Sequence, residues 1–186
     1  MERSILSSTV LVFASVAALL LAPGCGDETT GPEEGQGGWK QYSAGDYLFE
    51  WRFEDSLATL RARLTAPTTG WVAAGFDPSS IMNGANLIIG YVDSGSAYLR
   101  DDFGTGQVTH ASDVSLGGTD DGEILSSSET AGETVIEFRI PLDSGDQYDK
   151  VLSEGSTVTV IFAYGQDGAD DFTSTHAWAE TASFEL

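Results

Sequence analysis

Apolar and polar residues alternate along short stretches of the chain from residue 39 onward. In residues 157–162 (TVTVIF), every second side chain is positioned to meet a core, as on one face of a β-strand. No segment in this part of the chain shows a convincing helical period. The pattern predicts strands at residues 47–53, 58–64, 71–76, 87–92, 97–101, 134–140, 157–164 and 176–184.

Turns rich in glycine, aspartate and serine separate the predicted strands. They occur at residues 93–95, 117–122 and 143–146. About eight to ten short strands at this spacing are typical of an antiparallel β-sandwich, so we predict an all-β fold. Short helical turns are predicted only at residues 56–60 and 147–152.

The amino-terminal segment has the pattern of an export signal. Arg3 precedes an apolar run at residues 5–21, which is shorter than a comfortable membrane span. Residues 22–25 (APGC) resemble a lipoprotein processing box, and Cys25 is the only cysteine, so lipidation gives an unpaired thiol a role. We predict a lipoprotein signal peptide at residues 1–24 and an exported protein, lipid-anchored at the periplasmic or cell-surface face of a membrane. The alternative is a plain secretory signal with an incidental cysteine.

The segment after the cysteine differs in composition from the rest of the chain. Residues 25–38 are rich in glycine, glutamate and threonine and lack large apolar side chains until residue 39, which predicts a flexible tether. Residues 39–186 are numerous enough to form one domain with a substantial core.

The chain is strongly acidic, with 29 aspartates and glutamates against 8 lysines and arginines and a net charge of −21. This balance argues against nucleic acid as a partner, because phosphate binding requires a basic surface. Anionic lipid head groups would also repel the domain, so we expect membrane contact only through the anchor. A basic redox partner or bound cations are compatible with this charge.

Common catalytic motifs are absent from the sequence. The single cysteine lies in the processing box, and the two histidines, His110 and His176, are too far apart for a histidine-rich zinc motif. No glycine-rich phosphate loop and no nucleophile elbow occur. The acidic residues 167–171 could hold Ca²⁺ but lack EF-hand spacing, and a solvated acidic loop is the favoured interpretation. We therefore predict a non-enzymatic module.

Met82 and His176 are a chemically plausible pair. Met82 is the only methionine after the initiator. A thioether and an imidazole together hold low-spin haem iron and raise its potential. Considered singly, however, Met82 is typical of core packing and His176 of a hydrogen-bonded or surface histidine. Because no Cys-x-x-Cys-His motif occurs, a haem would be bound non-covalently.

Five motifs follow one another along the chain. They are residues 70–76 (GWVAAGF), 82–92 (MNGANLIIGYV), 97–102 (AYLRDD), 137–142 (EFRIPL) and 160–165 (VIFAYG) followed by His176. In this order they resemble the DOMON domain family, and in particular its haem-binding branch, which is similar to the cytochrome of cellobiose dehydrogenase. The likeness spans about residues 45–186, nearly all of the predicted domain.

The resemblance implies an immunoglobulin-like antiparallel β-sandwich that binds a small ligand. In haem-binding members, a methionine after the Gly-Trp strand and a histidine near the carboxyl terminus are the axial ligands of haem b. Met82 and His176 occupy those places, whereas His110 matches neither and is interpreted as a loop histidine. Other members are thought to bind sugars or have no known ligand, so membership alone does not establish haem.

Two hypotheses follow from the sequence. The first is a b-type haem domain that transfers electrons to a redox partner in trans. The alternative is a haem-free module that binds carbohydrate or another small ligand at the cell surface. In the alternative, exposed tryptophans would stack on the sugar, and the candidates are Trp39, Trp51, Trp71 and Trp178.

Overall fold

The computed structural model describes residues 32–35, 37–56 and 58–186. The predicted signal peptide and Cys25 lie outside the described residues. Within the described residues, no helix is long and apolar enough to cross a membrane. The division of the chain into signal, tether and domain therefore stays a prediction.

The described residues form twelve strands and one short helix. In chain order these are β1 (Glu33–Glu34), β2 (Lys40–Ala44), β3 (Tyr47–Glu54), β4 (Thr59–Ala66), β5 (Val72–Phe76), β6 (Asn86–Asp93), β7 (Ser96–Gly106), β8 (Thr109–Ser112), α1 (Asp113–Leu116), β9 (Glu123–Thr130), β10 (Glu133–Pro141), β11 (Thr157–Gly165) and β12 (His176–Glu185).

The strands form two six-stranded antiparallel sheets. The first has the order β1-β2-β3-β4-β10-β9, and the second has the order β12-β11-β5-β6-β7-β8. The predicted all-β antiparallel sandwich is therefore confirmed. Neighbours that are distant in sequence, such as β4 with β10 and β5 with β11, join the two halves of the chain.

The main core lies between the two sheets and follows from strand alternation. In β4, Leu60, Ala62 and Leu64 are buried and the residues between them are half-buried. Phe49 of the first sheet packs against Phe162 of the second, with ring centroids 5.5 Å apart. Burial of these inner faces is the main force that holds the sheets together.

The second sheet is apolar on its outer face as well. All five residues of β5 are buried, so this strand does not alternate between a buried and an exposed face. Its side chains at Val72, Ala74 and Phe76 belong to the main core, whereas Ala73 belongs to a separate outer cluster. The other buried members of this outer cluster are Trp71, Ala85, Leu87, Ile89 and Ala163. A second apolar surface outside the core indicates a binding site.

All eight predicted strands are present, and the strands missed are short or polar ones at or near sheet edges. These are β1, β2, β8 and β9, whose sequences lack a clear apolar face. The helical turn predicted at residues 147–152 is wrong, because that segment contains only bends and irregular chain. The one predicted at residues 56–60 is wrong from residue 59, where β4 begins.

A buried carboxylate joins β4 and β10 on the outer face of the first sheet. Glu137 accepts hydrogen bonds from Arg61 Nε at 2.6 Å and from Arg63 Nη2 at 2.8 Å. The Arg63 guanidinium also lies 4.8 Å from the centre of the Trp39 ring. Burial raises the pKa of Glu137, but the hydrogen bonds and charges of Arg63 and Arg61 outweigh it, so the pKa is lowered.

Replacing Glu137 by glutamine should destabilise the fold. Because the two arginines are partly solvated, we expect a loss of about 2 to 3 kcal/mol at neutral pH, at or below the low end of the ~3–5 kcal/mol range for a fully buried pair. Because folding lowers the pKa of Glu137, its ionised carboxylate stabilises the protein at pH values above the unfolded pKa of about 4.3. This contribution to stability is lost as the pH falls through the folded pKa. Urea unfolding of wild type and Glu137→Gln should therefore converge in acid.

The matched control is Glu123→Gln. Glu123 pairs with Arg139 but its side chain is 57% exposed. We expect a change of less than about 1 kcal/mol and little dependence on pH. An equal loss in both variants would contradict a special role for Glu137.

Candidate functional site

A cavity of about 500 Å³ lies on the outer face of the second sheet. Its volume falls within the range of about 300–1,000 Å³ that is usual for small-molecule sites. The residues that line it include Trp71, Ala73, Leu87, Ile89 and Ala163 of the outer cluster. Met82 and His176 both line this same cavity, so the fold brings the two predicted site residues together.

Small residues in β5 keep the floor of the cavity open. Ala73 and Gly75 alternate with the core residues of the strand and line the cavity. A Cβ atom at Gly75 would lie 2.4 Å from Leu87 Cδ2, so a larger residue there would force the Leu87 side chain to shift from its close packing on β5. This explains the motif at residues 70–76: one set of side chains fills the core and the other leaves room outside it.

Met82 lies in the connection between β5 and β6, and backbone hydrogen bonds hold this loop. Ser79 N donates to Asn83 O at 2.8 Å, and Ala85 N donates to Met82 O at 3.1 Å. Gly84 N donates to Gly104 O at 2.7 Å and so attaches the loop to β7. The Met82 side chain is half-buried at the cavity.

Two exposed apolar side chains also line the cavity. Ile81 is 64% exposed and has a φ of 54°, which is a strained conformation for a β-branched residue. Val108, in the turn between β7 and β8, is 82% exposed. Apolar groups placed in this way would be removed from water if the cavity held a flat apolar ligand.

His176 is the first residue of β12 and its side chain is exposed. The residues before it are held by Asp171, whose Oδ1 accepts hydrogen bonds from Thr173 N at 2.6 Å and Ser174 N at 2.7 Å. These N–H groups lower the pKa of Asp171. The indole of Trp71 then donates to Ser174 Oγ at 2.9 Å, which joins this segment to the cavity floor.

His110 also lines the cavity, which the sequence did not indicate. It lies in β8 and not in a loop, so the loop interpretation is wrong. Its Nδ1 is 2.5 Å from Asp102 Oδ2, and Arg100 Nη2 donates to the same carboxylate at 2.6 Å. Burial raises the pKa of Asp102, but the bonds from His110 and Arg100 outweigh it, so the pKa is lowered. Only pairing of β7 with the short polar strand β8 brings this histidine to the site.

The two histidines differ in their hydrogen bonding. The ring of His110 is held by Asp102, whereas the His176 ring accepts and donates no hydrogen bond within the described residues. Asp102 occupies only Nδ1 of His110, so Nε2 of that ring, like either nitrogen of His176, can still bind a ligand.

The tryptophans do not form an exposed platform. Trp39, Trp51 and Trp71 are buried. Trp178 is half-buried and stacks on Tyr164, with ring centroids 5.4 Å apart. Two of the three aspartates in residues 167–171 have structural partners: Asp167 Oδ1 accepts a hydrogen bond from Thr69 N, and Asp171 Oδ1 accepts those described above.

Comparison with known proteins gives one family and several relatives. A model of the DOMON domain matches residues 43–165. Human DBH-like monooxygenase protein 1 is 32% identical over 130 residues, which cover 69% of this chain and 20% of the human protein. Mouse DBH-like monooxygenase protein 2 is 27% identical over 135 residues, which cover 72% of this chain and 21% of the mouse protein. This chain therefore spans about a fifth of the length of these relatives.

Two solved cytochrome domains have a similar fold. The cytochrome b domain of pyranose dehydrogenase from Coprinopsis cinerea gives a TM-score of 0.57 at 17% identity, covering 79% of this chain and 81% of that one. The cytochrome domain of Myriococcum thermophilum cellobiose dehydrogenase gives a TM-score of 0.56 at 13% identity, covering 87% of this chain and 90% of that one. At this identity the likeness is one of fold.

Substituting Gly104 by alanine should displace the loop that carries Met82. A Cβ atom at Gly104 would overlap the Met82 carbonyl oxygen, which belongs to the backbone and has little freedom to move. We expect a loss of about 1 to 3 kcal/mol in chemical denaturation. Faster amide exchange at residues 79–85 would locate the change.

Gly106→Ala is the matched control in the same strand. The atom nearest to its Cβ would be the Thr109 hydroxyl oxygen at 2.7 Å, which side-chain rotation can relieve. The control should cost less than Gly104→Ala and leave exchange in the Met82 loop unchanged. Equal effects in both variants would show that the loop does not depend on Gly104.

Proposed function

The chain belongs to the DOMON domain family, and on that premise we propose that it is a non-covalent haem b domain that transfers electrons. The observation that carries this proposal is the shared cavity of Met82 and His176. One is the only methionine after the initiator, and the other is the cavity histidine that no described residue engages.

The residues at the cavity fit such a group. Leu87, Ile89 and Ala163 supply apolar walls, as the flat macrocycle of a haem requires. Met82 offers a soft thioether and His176 an imidazole, and this donor set suits low-spin iron of raised potential. The exposed side chains of Ile81 and Val108 would gain cover from water.

The proposed roles of the cavity residues follow from these positions. A bound haem supplies a one-electron ferric–ferrous couple. Met82 and His176 would hold the iron, and the apolar walls would exclude water and thereby tune the potential. If Met82 and His176 both held the iron, they would leave it no site for a substrate. The proposal is therefore electron transfer without catalysis by this domain.

The partner and location belong to the same proposal. A chain exported by the signal at residues 1–24 and anchored through Cys25 would meet its redox partner outside the cytoplasm. A net charge of −21 favours a partner with a basic docking surface, whose association should weaken as salt increases.

Absorption spectroscopy with added haemin tests the cofactor. We expect the protein to bind one haem per chain and to show a low-spin spectrum whose Soret band shifts on reduction with dithionite. A folded protein that stays colourless would overturn the proposal. In that case the same cavity would serve the haem-free alternative, and carbohydrate binding could be measured by calorimetry.

Single substitutions test the ligands. His176→Ala and Met82→Leu should each abolish the low-spin six-coordinate spectrum and weaken haem retention. His110→Ala is the discriminating variant, because His110 lines the same cavity and, although Asp102 holds its Nδ1, its Nε2 could also bind iron. It should retain six-coordinate iron. Loss of the low-spin spectrum in His110→Ala but not in His176→Ala would assign the ligand to His110.

Substitution of Ile81 should change the stability of the haem-free protein and its haem affinity in opposite directions. Asparagine tolerates a positive φ, so Ile81→Asn should stabilise the haem-free protein by about 1 kcal/mol. It should also weaken haem binding, because an apolar wall is lost. Val108→Thr provides the comparison, since Val108 does not have a positive φ. It should weaken haem binding without stabilising the haem-free protein, as measured by thermal unfolding and haemin titration.

A further inference from the structure

Buried polar groups collect at a place away from the cavity, where β6 begins beside β7. Ile88 pairs with Asp101 and Leu87 with Asp102, so Asp101 lies on the same side of the sheet as Ile88. Asn86 also lies on that side, which faces the space between the sheets. Asp102, one residue later, lies on the opposite side, where it holds His110 at the cavity.

Two loop carboxylates meet Asp101 from outside the strands. One oxygen from each of Asp101, Asp121 and Asp149 lies within 4.8 Å of the others. Asn86 Nδ2 donates to Asp149 Oδ1 at 2.6 Å, and the Ser144 hydroxyl donates to Asp149 Oδ2. Four separate segments of the chain therefore converge on this cluster.

The buried oxygens of the cluster lack partners. Asp101 is 1% exposed, yet neither of its carboxylate oxygens has a hydrogen-bond partner among the described residues. Asn86 is 4% exposed, and its Oδ1 is likewise unpaired within the part of the chain that the structure describes. The neighbouring Asp113 is fully buried, and no described residue pairs with either of its oxygens. Buried polar groups are nearly always satisfied, and leaving one unpaired is costly, so these oxygens point to a missing partner.

The electrostatics reflect the same crowding of carboxylates. Burial, followed by repulsion from Asp149 and Asp113, raises the pKa of Asp101 to about 9; the backbone N–H of Asp121 opposes the shift without meeting the geometry of a hydrogen bond. Burial and the charge of Asp149 raise the pKa of Asp113 to about 7.

We propose that Asp101, Asp121 and Asp149 bind a Ca²⁺ ion, with Asn86 Oδ1 as a neutral oxygen beside it. An all-oxygen set of carboxylates suits a hard cation and not zinc or copper. Ligands on opposite sides of one Ca²⁺ are about 4.8 Å apart, twice the Ca–O distance of about 2.4 Å, whereas Mg²⁺ would need about 4.2 Å. The three carboxylate oxygens lie within 4.8 Å of one another, so one Ca²⁺ can contact all of them, and carboxylates carried partly on loops suit its flexible coordination better than the rigid octahedron of Mg²⁺.

A bound ion would attract the carboxylates of Asp101, Asp121 and Asp149, which otherwise repel one another. It would join β6 and β7 to the segments that carry Asp121 and Asp149. Because Ca²⁺ would bind the folded state and not the unfolded chain, it should raise stability with its concentration. The site is separate from the cavity, so its test is made on haem-free protein and does not depend on the haem proposal.

Thermal unfolding and calorimetry test the site. The haem-free protein is treated with EDTA, dialysed, and titrated with CaCl₂. We expect one Ca²⁺ per chain and a rise in Tm of about 5 to 10 °C when free Ca²⁺ is about 100 times Kd. No binding heat and no rise in Tm would overturn the proposal, and a larger rise with MgCl₂ than with CaCl₂ would overturn the choice of ion.

Substitutions locate the site. Asp101→Asn should abolish the Ca²⁺ response while the calcium-free protein stays folded, because asparagine matches a neutral aspartic acid in shape. Asp121→Asn, at a half-buried loop position, should also abolish it and serves if Asp101→Asn fails to fold. Asp93→Asn is the matched control, at the exposed end of β6, and should keep the full response. An unchanged response in Asp101→Asn and Asp121→Asn would place the ion elsewhere.

Discussion

The structure depends on one constraint: the second sheet must be apolar on both faces. Its inner face closes the main core, and its outer face forms the wall of the cavity. β5 satisfies both demands with five buried residues, using large side chains inward at Val72 and Phe76 and small ones outward at Ala73 and Gly75. An outer face filled by bulky residues would leave no room, and a polar one would offer a flat ligand no apolar wall.

Strand alternation then separates two kinds of chemistry by a single residue. Asp102 points outward and orients His110 at the cavity, whereas Asp101 points inward and meets the carboxylates of the loops. The two neighbours have opposite pKa shifts. Asp102 has Arg100 and His110 as partners, whereas at Asp101 burial and the charges of Asp149 and Asp113 outweigh the backbone N–H of Asp121. The same strand β7 thus supports both proposed sites, one on each side of the sheet.

Much of the fold and part of the site were accessible from the chain alone. Most strands that face a core were predicted within two residues of their observed limits, because periodicity two is a local property of the sequence, but β7 continues to Gly106, five residues past its predicted end. β8 and β9 were missed because short polar strands at or near a sheet edge carry no such period. His110 was misplaced for that reason. The carboxylate cluster was missed as well, and the acidic residues that were considered, 167–171, belong to a different loop.

The sequence by itself determined the sandwich class, the acidic surface, and Met82 and His176 as the residues to compare with a haem-binding family. Those conclusions rest on composition, periodicity and motif order, which do not require long-range contacts. Only the tertiary structure decided that both residues line one cavity, that a second histidine joins them, and that Asp101 meets Asp121 and Asp149. The physical reason is that strand pairing brings together residues far apart in the chain, with a register that no local pattern contains.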